Sequence, residues 1–253
     1  MNNMVSGSIV TFNNISTIEK TLETIFTQTK DIDFKLYIVD NGSSDGTPEF
    51  VDKNYPQVSV IRNEKNVGFG AGHNIIINSV ESSYHAIINP DIVLKENVIK
   101  KMVDYMEENQ DIGLLSPRIC FPDGRDQILG KRNPRLKYLV ASRLRGDEPG
   151  KLLREYAMLD CDLSKPIQIE NATGCFMLLR TEVLKKIGGF DDGYFMYFED
   201  ADLTRRVNEV SKCIYYPDAT VNHVWGRESK RNLKLMCIHI DSMCRYFCKW
   251  KTI

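Results

Sequence analysis

Residues 84–94 read YHAIINPDIVL, and the way this stretch stops decides the fold. Ala86, Ile87 and Ile88 form a short apolar run with a β-branched pair, suited to a strand buried on both faces of a parallel sheet. The stiff turn Asn89-Pro90-Asp91 ends it. A carboxylate is thereby set just past the C-terminal edge of a buried strand, where open α/β sheets build their ligand sites.

The flanking sequence repeats the same rhythm. On the N-terminal side GSIVTF (7–12) is strand-like. Ser16 and Glu19 then stand at capping-box spacing, and Ile18, Leu22 and Ile25 recur at helical period to about Gln28. FKLYIVD (34–40) is a second strand, followed by Thr47-Pro48 as N-cap and first residue of a helix to about Asn54. VSVIRN (58–63) is a third strand, and NVGFGAGHNIIINSV (66–80) turns into a helix. After the 84–94 stretch, Val98, Met102, Tyr105 and Met106 line a helix ending near Asn109, and IGLLSPRI (112–119) is a further strand. Strands and helices alternating at this interval indicate βαβ units with right-handed crossovers, hence a largely parallel, Rossmann-like α/β sheet flanked by helices.

After Cys120 the rhythm breaks. Residues 121–165 are loop-rich and basic, with Lys131, Arg132, Arg135, Lys137, Arg143, Arg145, Lys151 and Arg154. Such a run is either a solvated face or a segment that closes over an anionic substrate or rests on an acidic membrane surface. Regular structure resumes with ATGCFMLLRTEVLKKIGGFDD (172–192), a helix over EDADLTRRVNEV (199–210), a strand at CIYYP (213–217) and a final amphipathic helix over 230–250. The expected organisation is one domain over 1–253, with a nucleotide-binding half at 1–120, an acceptor and catalytic half at 121–229 and a C-terminal helix at 230–253.

Composition narrows the function classes. A chain of 253 residues with a net charge of −1 can bury a proper core and gives no global case for nucleic acid. No apolar run approaches the roughly 18 to 20 residues needed to cross a bilayer, and MNNMVSGSIVTFNN lacks a signal-type pattern, so a cytoplasmic location is expected. The seven cysteines are scattered without a CxxC pair, which favours reduced thiols over disulfides or zinc. Cys237, Cys244 and Cys248, at i, i+7 and i+11, are expected on the packed face of the last helix.

Four clusters carry polar chemistry. In VDNGSSDGT (39–47), Asp40 ends a strand where an acid can accept hydrogen bonds from a ribose or base, or simply form an Asx turn. In NVGFGAGHN (66–74), Gly68, Gly70 and Gly72 open a helix onto a phosphate-bearing ligand, or serve close packing; the spacing is neither a dinucleotide fingerprint nor a P-loop. Asp91 can hold Mg2+ or Mn2+ together with diphosphate oxygens, or only shape the turn. In GYFMYFEDADL (193–203), Glu199, Asp200 and Asp202 crowd a helix start, where the dipole favours acids; beside aromatic walls such an acid also gains the proton affinity of a general base. His223 in NHVWG is either a nitrogen ligand to a metal or a structural hydrogen-bonder.

Taken in order, VDNGSSDGT, NVGFGAGHN, NPD, GCFMLLRTEVLKKIGGFDDGYFMYFEDADLTRR and HVWG resemble the motif series of inverting glycosyltransferases of family 2, with the GT-A fold, and are closest to the rhamnosyltransferase-like branch of bacterial O-antigen and surface polysaccharide synthesis. The resemblance covers roughly residues 5 to 250. It implies that Thr11 and Asp40 contact the nucleoside and that Asn66 and Gly68 lie along the nucleotide pocket. Asp91 matches the metal-binding acid of the DXD motif, with Asn89 in place of its first Asp, and His223 matches a metal- or diphosphate-contacting His. Asp200 matches the catalytic base of the ED motif, with Glu199, Asp202 and Trp225 around the acceptor. A divalent cofactor, Mg2+ or Mn2+, is implied, as is a nucleotide-sugar donor: dTDP-L-rhamnose first, UDP-galactose or a UDP-N-acetylhexosamine otherwise.

The implied acceptor is a polyprenyl-diphosphate-linked saccharide. The last helix, with Lys230, Arg231, Lys234, Arg245, Lys249 and Lys251 around Leu233, Met236, Ile240, Met243, Phe247 and Trp250, would lie on the inner membrane surface or dock on its own domain. A non-catalytic nucleotide-sugar binding module is the rival class. A nucleotidyltransferase would need a triphosphate loop after the first strand, and IVTFNNISTIEK offers none.

Overall fold

A computed structural model describes residues 4–143, 149–224 and 233–251. In chain order its elements are β1 (Val5–Thr11), α1 (Ile15–Gln28), β2 (Phe34–Asp40), α2 (Thr47–Asn54), β3 (Ser59–Arg62), α3 (Phe69–Ile77), β4 (Tyr84–Ile88), β5 (Ile92–Leu94), α4 (Val98–Glu108), β6 (Ile112–Cys120), α5 (Leu136–Arg143), α6 (Lys151–Tyr156), β7 (Ile167–Gln168), β8 (Phe176–Arg180), α7 (Thr181–Lys186), α8 (Glu199–Asn208), β9 (Lys212–His223) and α9 (Leu233–Trp250).

The strands form one nine-stranded sheet in the order β3-β2-β1-β4-β8-β6-β9-β5, with β7 beside β9. β3, β2, β1 and β4 are parallel, as the βαβ rhythm requires. β8 then enters antiparallel between β4 and β6, so IGLLSPRI is not the direct neighbour of β4. All five residues of β8 are buried, which suits a central strand covered on both faces.

Strand residues alternate between two cores. Tyr84, Ala86 and Ile88 of β4 join Ile18, Leu22 and Ile25 of α1 and Met102 and Met106 of α4 in one cluster. Ile87 faces the other way, with Leu184 of α7 and Leu203 and Val207 of α8. Period-2 side-chain alternation thus feeds helices on both faces.

A polar seam crosses this apolar interior. Thr181 Oγ1 lies 3.4 Å from Ser82 Oγ, which bonds Ser6 Oγ at 2.6 Å; Ser6 reaches His85 Nδ1, His85 Nε2 reaches Ser8, and Ser8 reaches His73 Nδ1. Burial pushes His85 down to about 3 and, with the neighbouring His85, pushes His73 well below its usual range, so both imidazoles are neutral at pH 7.

Several local expectations are corrected. α1 begins after Asn14, and Ser16 is already inside it, so no Ser16–Glu19 box forms. The first free N–H is met instead by a distant carboxylate, Asp45 Oδ2, 2.9 Å from Ile15 N. Burial works against that charge, yet the Thr47 hydroxyl and the Ile15 and Thr47 amides hold Asp45 below the usual carboxylate range. Gly46, at φ 88°, caps α2, and Thr47 is its first residue. The basic stretch is not all loop: it contains α5 and α6, and Lys137 pairs with Glu155 at 3.1 Å. Arg145 lies outside the described residues.

The last helix is described from Leu233; Lys230 and Arg231 lie outside. Its inner face is Ser242 and Tyr246, with Met243, Phe247 and Trp250 packed beside Tyr194 and Phe198. Cys237, Cys244 and Cys248 are exposed, contrary to their expected place on the packed face. The helix turns its aromatic residues inward and leaves the three cysteines exposed. No disulfide forms among the seven cysteines, and among the described residues no helix is long and apolar enough to cross a membrane.

Candidate active site

The C-terminal ends of β1, β2 and β4 converge on three polar turns. At the end of β2, the buried Asp40 accepts the Thr11 hydroxyl at 2.8 Å on Oδ1 and the Ser43 N–H at 2.8 Å on Oδ2. Thr11 and Asp40 are therefore one unit, and the carboxylate is oriented by its own turn. Asn41 reaches across to the next loop: its Nδ2 donates to Asn66 Oδ1 at 3.2 Å and to the Gly68 carbonyl at 3.0 Å. Asn66 Oδ1 also accepts from Gly68 N at 2.9 Å.

The glycines of this loop are explained by close approach. Gly68 has φ +97°, and a methyl there would lie 2.3 Å from the Phe195 carbonyl oxygen. Gly70 abuts Phe190 and Gly72 abuts Val10. The Phe69 N–H donates to that same Phe195 carbonyl at 2.9 Å, so the loop before α3 is fastened to the aromatic segment that precedes α8.

At the end of β4, the turn Asn89-Pro90-Asp91 is pinned from two sides. Thr21 of α1 donates to the Pro90 carbonyl at 2.9 Å, and Asn89 N donates to the Cys175 carbonyl at 2.9 Å. Asp91 Oδ1 stands 3.3 Å from His223 Nε2 at the end of β9. Burial opposes a charge on His223, but the hydrogen bond to Asp91 and the Cys175 thiol outweigh it and hold the imidazole up at about 10. Gln127 braces the ring, with Oε1 3.2 Å from His223 Nδ1 and Nε2 donating to the His223 carbonyl at 2.7 Å.

Among the described residues no three His, Cys, Asp or Glu side chains gather into a ligand set. Asp91 offers one oxygen donor, and His223, once its ring proton is displaced, would offer one nitrogen donor beside it. That pair fits a hard or borderline divalent ion whose remaining positions are filled by diphosphate oxygens and water.

Asp200 sits in the first turn of α8. Its Oδ2 accepts the Gly174 N–H at 2.9 Å and its Oδ1 accepts the Ala201 N–H at 2.8 Å. Burial raises its proton affinity above the usual aspartate range, although those two N–H bonds oppose the rise. The neighbouring Glu199 is more deeply buried, and its Oε2 has no partner among the described residues. Burial first, and the Asp200 charge second, push Glu199 well above the usual range. The two carboxyls share a site, and a charge on Asp200 disfavours a charge on Glu199.

One dipeptide ties the two acids together. Gly174 donates to Asp200 while the next carbonyl, of Cys175, accepts from Asn89 two residues before Asp91. The turn before α8 is itself strained: Tyr197 and Phe198 have φ of 72° and 65°, and both are non-glycine residues in the left-handed region.

The expected residues fall into three groups. Thr11, Asp40, Asn66 and Gly68 cluster on one side, and Asn89, Asp91 and His223 on the other, with Asp200 and Glu199 joined to the second group through Gly174–Cys175. Asp202 is separate. Its fully buried carboxylate accepts from Arg206 at 2.8 Å, Trp250 Nε1 at 2.9 Å and Lys249 at 2.7 Å, which makes it the anchor of α9. Trp225 lies outside the described residues. Gln127, Gly174 and Cys175 carry no local sequence signal of their place here: Gln127 meets its partner 96 residues away, and no local pattern encodes that.

The sheet, parallel in its first half and flanked by helices on both faces, gives the chain a GT-A-like fold, and solved structures agree. A mannosyltransferase from Pyrobaculum calidifontis in complex with GDP-Man and Mn2+ superposes with a TM-score of 0.64 at 16% identity, over 97% of this chain and 65% of that one. GalNAc-T7 with UDP, GalNAc and Mn2+ gives 0.65 at 16% identity, over 88% of this chain and 44% of that one.

Sequence relatives are more specific. An N-acetylglucosaminyl-diphospho-decaprenol L-rhamnosyltransferase of Mycobacterium tuberculosis is 27% identical over 216 residues, 74% of this chain and 66% of the relative. Rhamnosyltransferase WbbL of Escherichia coli is 26% identical over 194 residues, 72% of this chain and 70% of the relative. The chain thus spans just under two thirds of the mycobacterial relative's length. With the glycosyl transferase family 2 model matching residues 8–188, the chain belongs to that family.

Proposed function

We propose that the chain transfers a sugar, with inversion, from a nucleotide diphosphate donor to a hydroxyl of a saccharide acceptor, and that 1–120 and 121–229 work as the two halves of one domain. The observation that carries this reading is the Gly174–Cys175 dipeptide, hydrogen-bonded on one side to Asp200 and on the other to the turn that presents Asp91. Thr11, Asp40, Asn66 and Gly68 take the nucleoside side of the donor, and Asn89 lies where its diphosphate begins. Asp91 and His223 would hold Mg2+ or Mn2+ against that diphosphate, where the ion's charge stabilises the leaving group.

Asp200 does the proton chemistry. As the sugar–phosphate bond breaks, positive charge develops at the anomeric carbon and the acceptor oxygen closes on it from the opposite side. Asp200 removes that oxygen's proton, and attack opposite the leaving group inverts the centre. Its raised proton affinity makes it a better base than a solvated aspartate. Burial and the Asp200 charge push the neighbouring Glu199 toward its neutral form, which disfavours a second negative charge in the site.

For the donor we place dTDP-L-rhamnose first, on the rhamnosyltransferase relatives, with a UDP-sugar next; on the same ground the acceptor is polyprenyl-diphosphate-linked. A peripheral place on the cytoplasmic face of the inner membrane follows from that acceptor, with the exposed Leu233 and Ile240 of α9 as the contact.

A panel of nucleotide sugars, assayed with Mn2+ and with chelator in the presence of a lipid-linked acceptor, tests the reading. One donor should turn over, with chelator abolishing the rate. Asp200→Asn should keep donor affinity and lose about 10²–10⁴-fold in turnover. A folded protein that turns over no donor, or an Asp200→Asn variant with full activity, defeats it.

A further inference from the structure

A cavity of about 510 Å³ opens beside the proposed centre, and none of the donor-side residues line it. Its volume falls in the ~300–1,000 Å³ range of small-molecule sites. Two of its wall residues reach the chemistry. Gln127 is the residue that braces His223, and Thr173 precedes Gly174, whose N–H holds Asp200. Consecutive Cα atoms are ~3.8 Å apart, so the wall ends within a residue of the base's anchor.

Two strands lose register at the wall of this cavity. β6 and β9 pair Pro117 with Tyr216 and then Arg118 with Thr220, so Pro217, Asp218 and Ala219 are looped out of the ladder. Pro117, Arg118, Pro217 and Asp218 all line the opening. Bulges beside functional sites commonly re-aim side chains in this way.

We propose that this cavity is the subsite for the acceptor's sugar, a neutral ring with free hydroxyls; the proposal rests on the reading of Asp200 as the base. The charges in the wall balance. Arg118 is paired with Asp126 at 2.6 Å, and Lys131 and Asp218 supply one more of each sign. A phosphate would meet a carboxylate there, whereas hydroxyls both donate and accept and can use both signs. The Lys131 ammonium lies 4.7 Å from the Tyr215 ring centroid, and burial, only partly offset by Asp126, brings its amine down to about 8. A hydroxyl accepting from that ammonium gives it a polar partner. Leu129, Leu163 and Ile169 complete the wall with aliphatic surface suited to a sugar's C–H face.

Saturation-transfer NMR on the full chain, with the methyl glycosides of N-acetylglucosamine, glucose, galactose and rhamnose as probes, tests the assignment. Ser164→Trp fills the cavity from its exposed rim, and Lys131→Met removes the donor inside it. At least one glycoside should bind the unsubstituted chain, and its affinity should fall about tenfold or more in both variants, with UDP affinity and the thermal midpoint unchanged as controls of folding. Equal binding by either folded variant, or no glycoside bound by the unsubstituted chain, overturns the subsite. Asp200→Asn separates the two ideas: full turnover in that variant removes the base and leaves glycoside binding to decide the cavity.

Discussion

Burial beside Asp200 raises the proton affinity of Glu199 well above the usual glutamate range, and that costs stability. The unfolded chain releases the Glu199 proton above about pH 4.3, while the folded chain keeps it until its raised value is passed. Stability therefore falls as pH rises through that window. Glu199→Gln copies the neutral form and removes the dependence, so the variant should gain on the parent between pH 5 and pH 8 in urea unfolding. A difference that stays constant across that range would show Glu199 to be ionised in the fold. At this scale the candidate acids were legible, because a carboxylate after a strand-ending proline and another at an aromatic helix start each carry a local signature. Gln127 and Gly174 were not, since each matters through one hydrogen bond to a residue far along the chain.

Among elements, the seam through β1, β4 and α3 makes the sheet sensitive to acid. His85 is held down to about 3, so below about pH 6.5 the unfolded chain takes up a proton that the folded chain refuses. Its contribution is complete above pH 6.5, and about 2 kcal/mol of it is lost by pH 5. His85→Gln should be less stable than the parent at pH 7 and should close on it by that amount at pH 5, as read by urea midpoints. α9 offers a second check. Trp250→Phe keeps an aromatic ring against Arg205 but removes the donor to the buried Asp202, and should cost about 1–3 kcal/mol of stability while leaving nucleotide affinity unchanged. Strand and helix positions followed from apolar periodicity, which is a local property. The antiparallel entry of β8 and the inward face of α9 did not, because pairing order and the face a helix turns inward are settled by tertiary packing.

For the molecule as a whole, the strand ends and the loops of the second half meet over one sheet, so donor binding should stabilise the entire fold. A nucleotide diphosphate with Mn2+ at about 100 times its Kd would raise the unfolding free energy by about 2.7 kcal/mol. In Asp91→Asn the nucleotide alone should still raise the midpoint in a thermal shift measurement, and the increment added by Mn2+ should vanish. An undiminished Mn2+ increment would move the ion to other ligands. The row formed by Cys237, Cys244 and Cys248 has a practical corollary. Cys120, Cys175 and Cys213 are buried, so a maleimide dye supplied sparingly would decorate α9 before it met the thiol beside His223. A reporter attached there rides on the outside of the helix that Asp202 fastens, and its emission would follow any loosening of that helix while the sugar chemistry proceeds undisturbed.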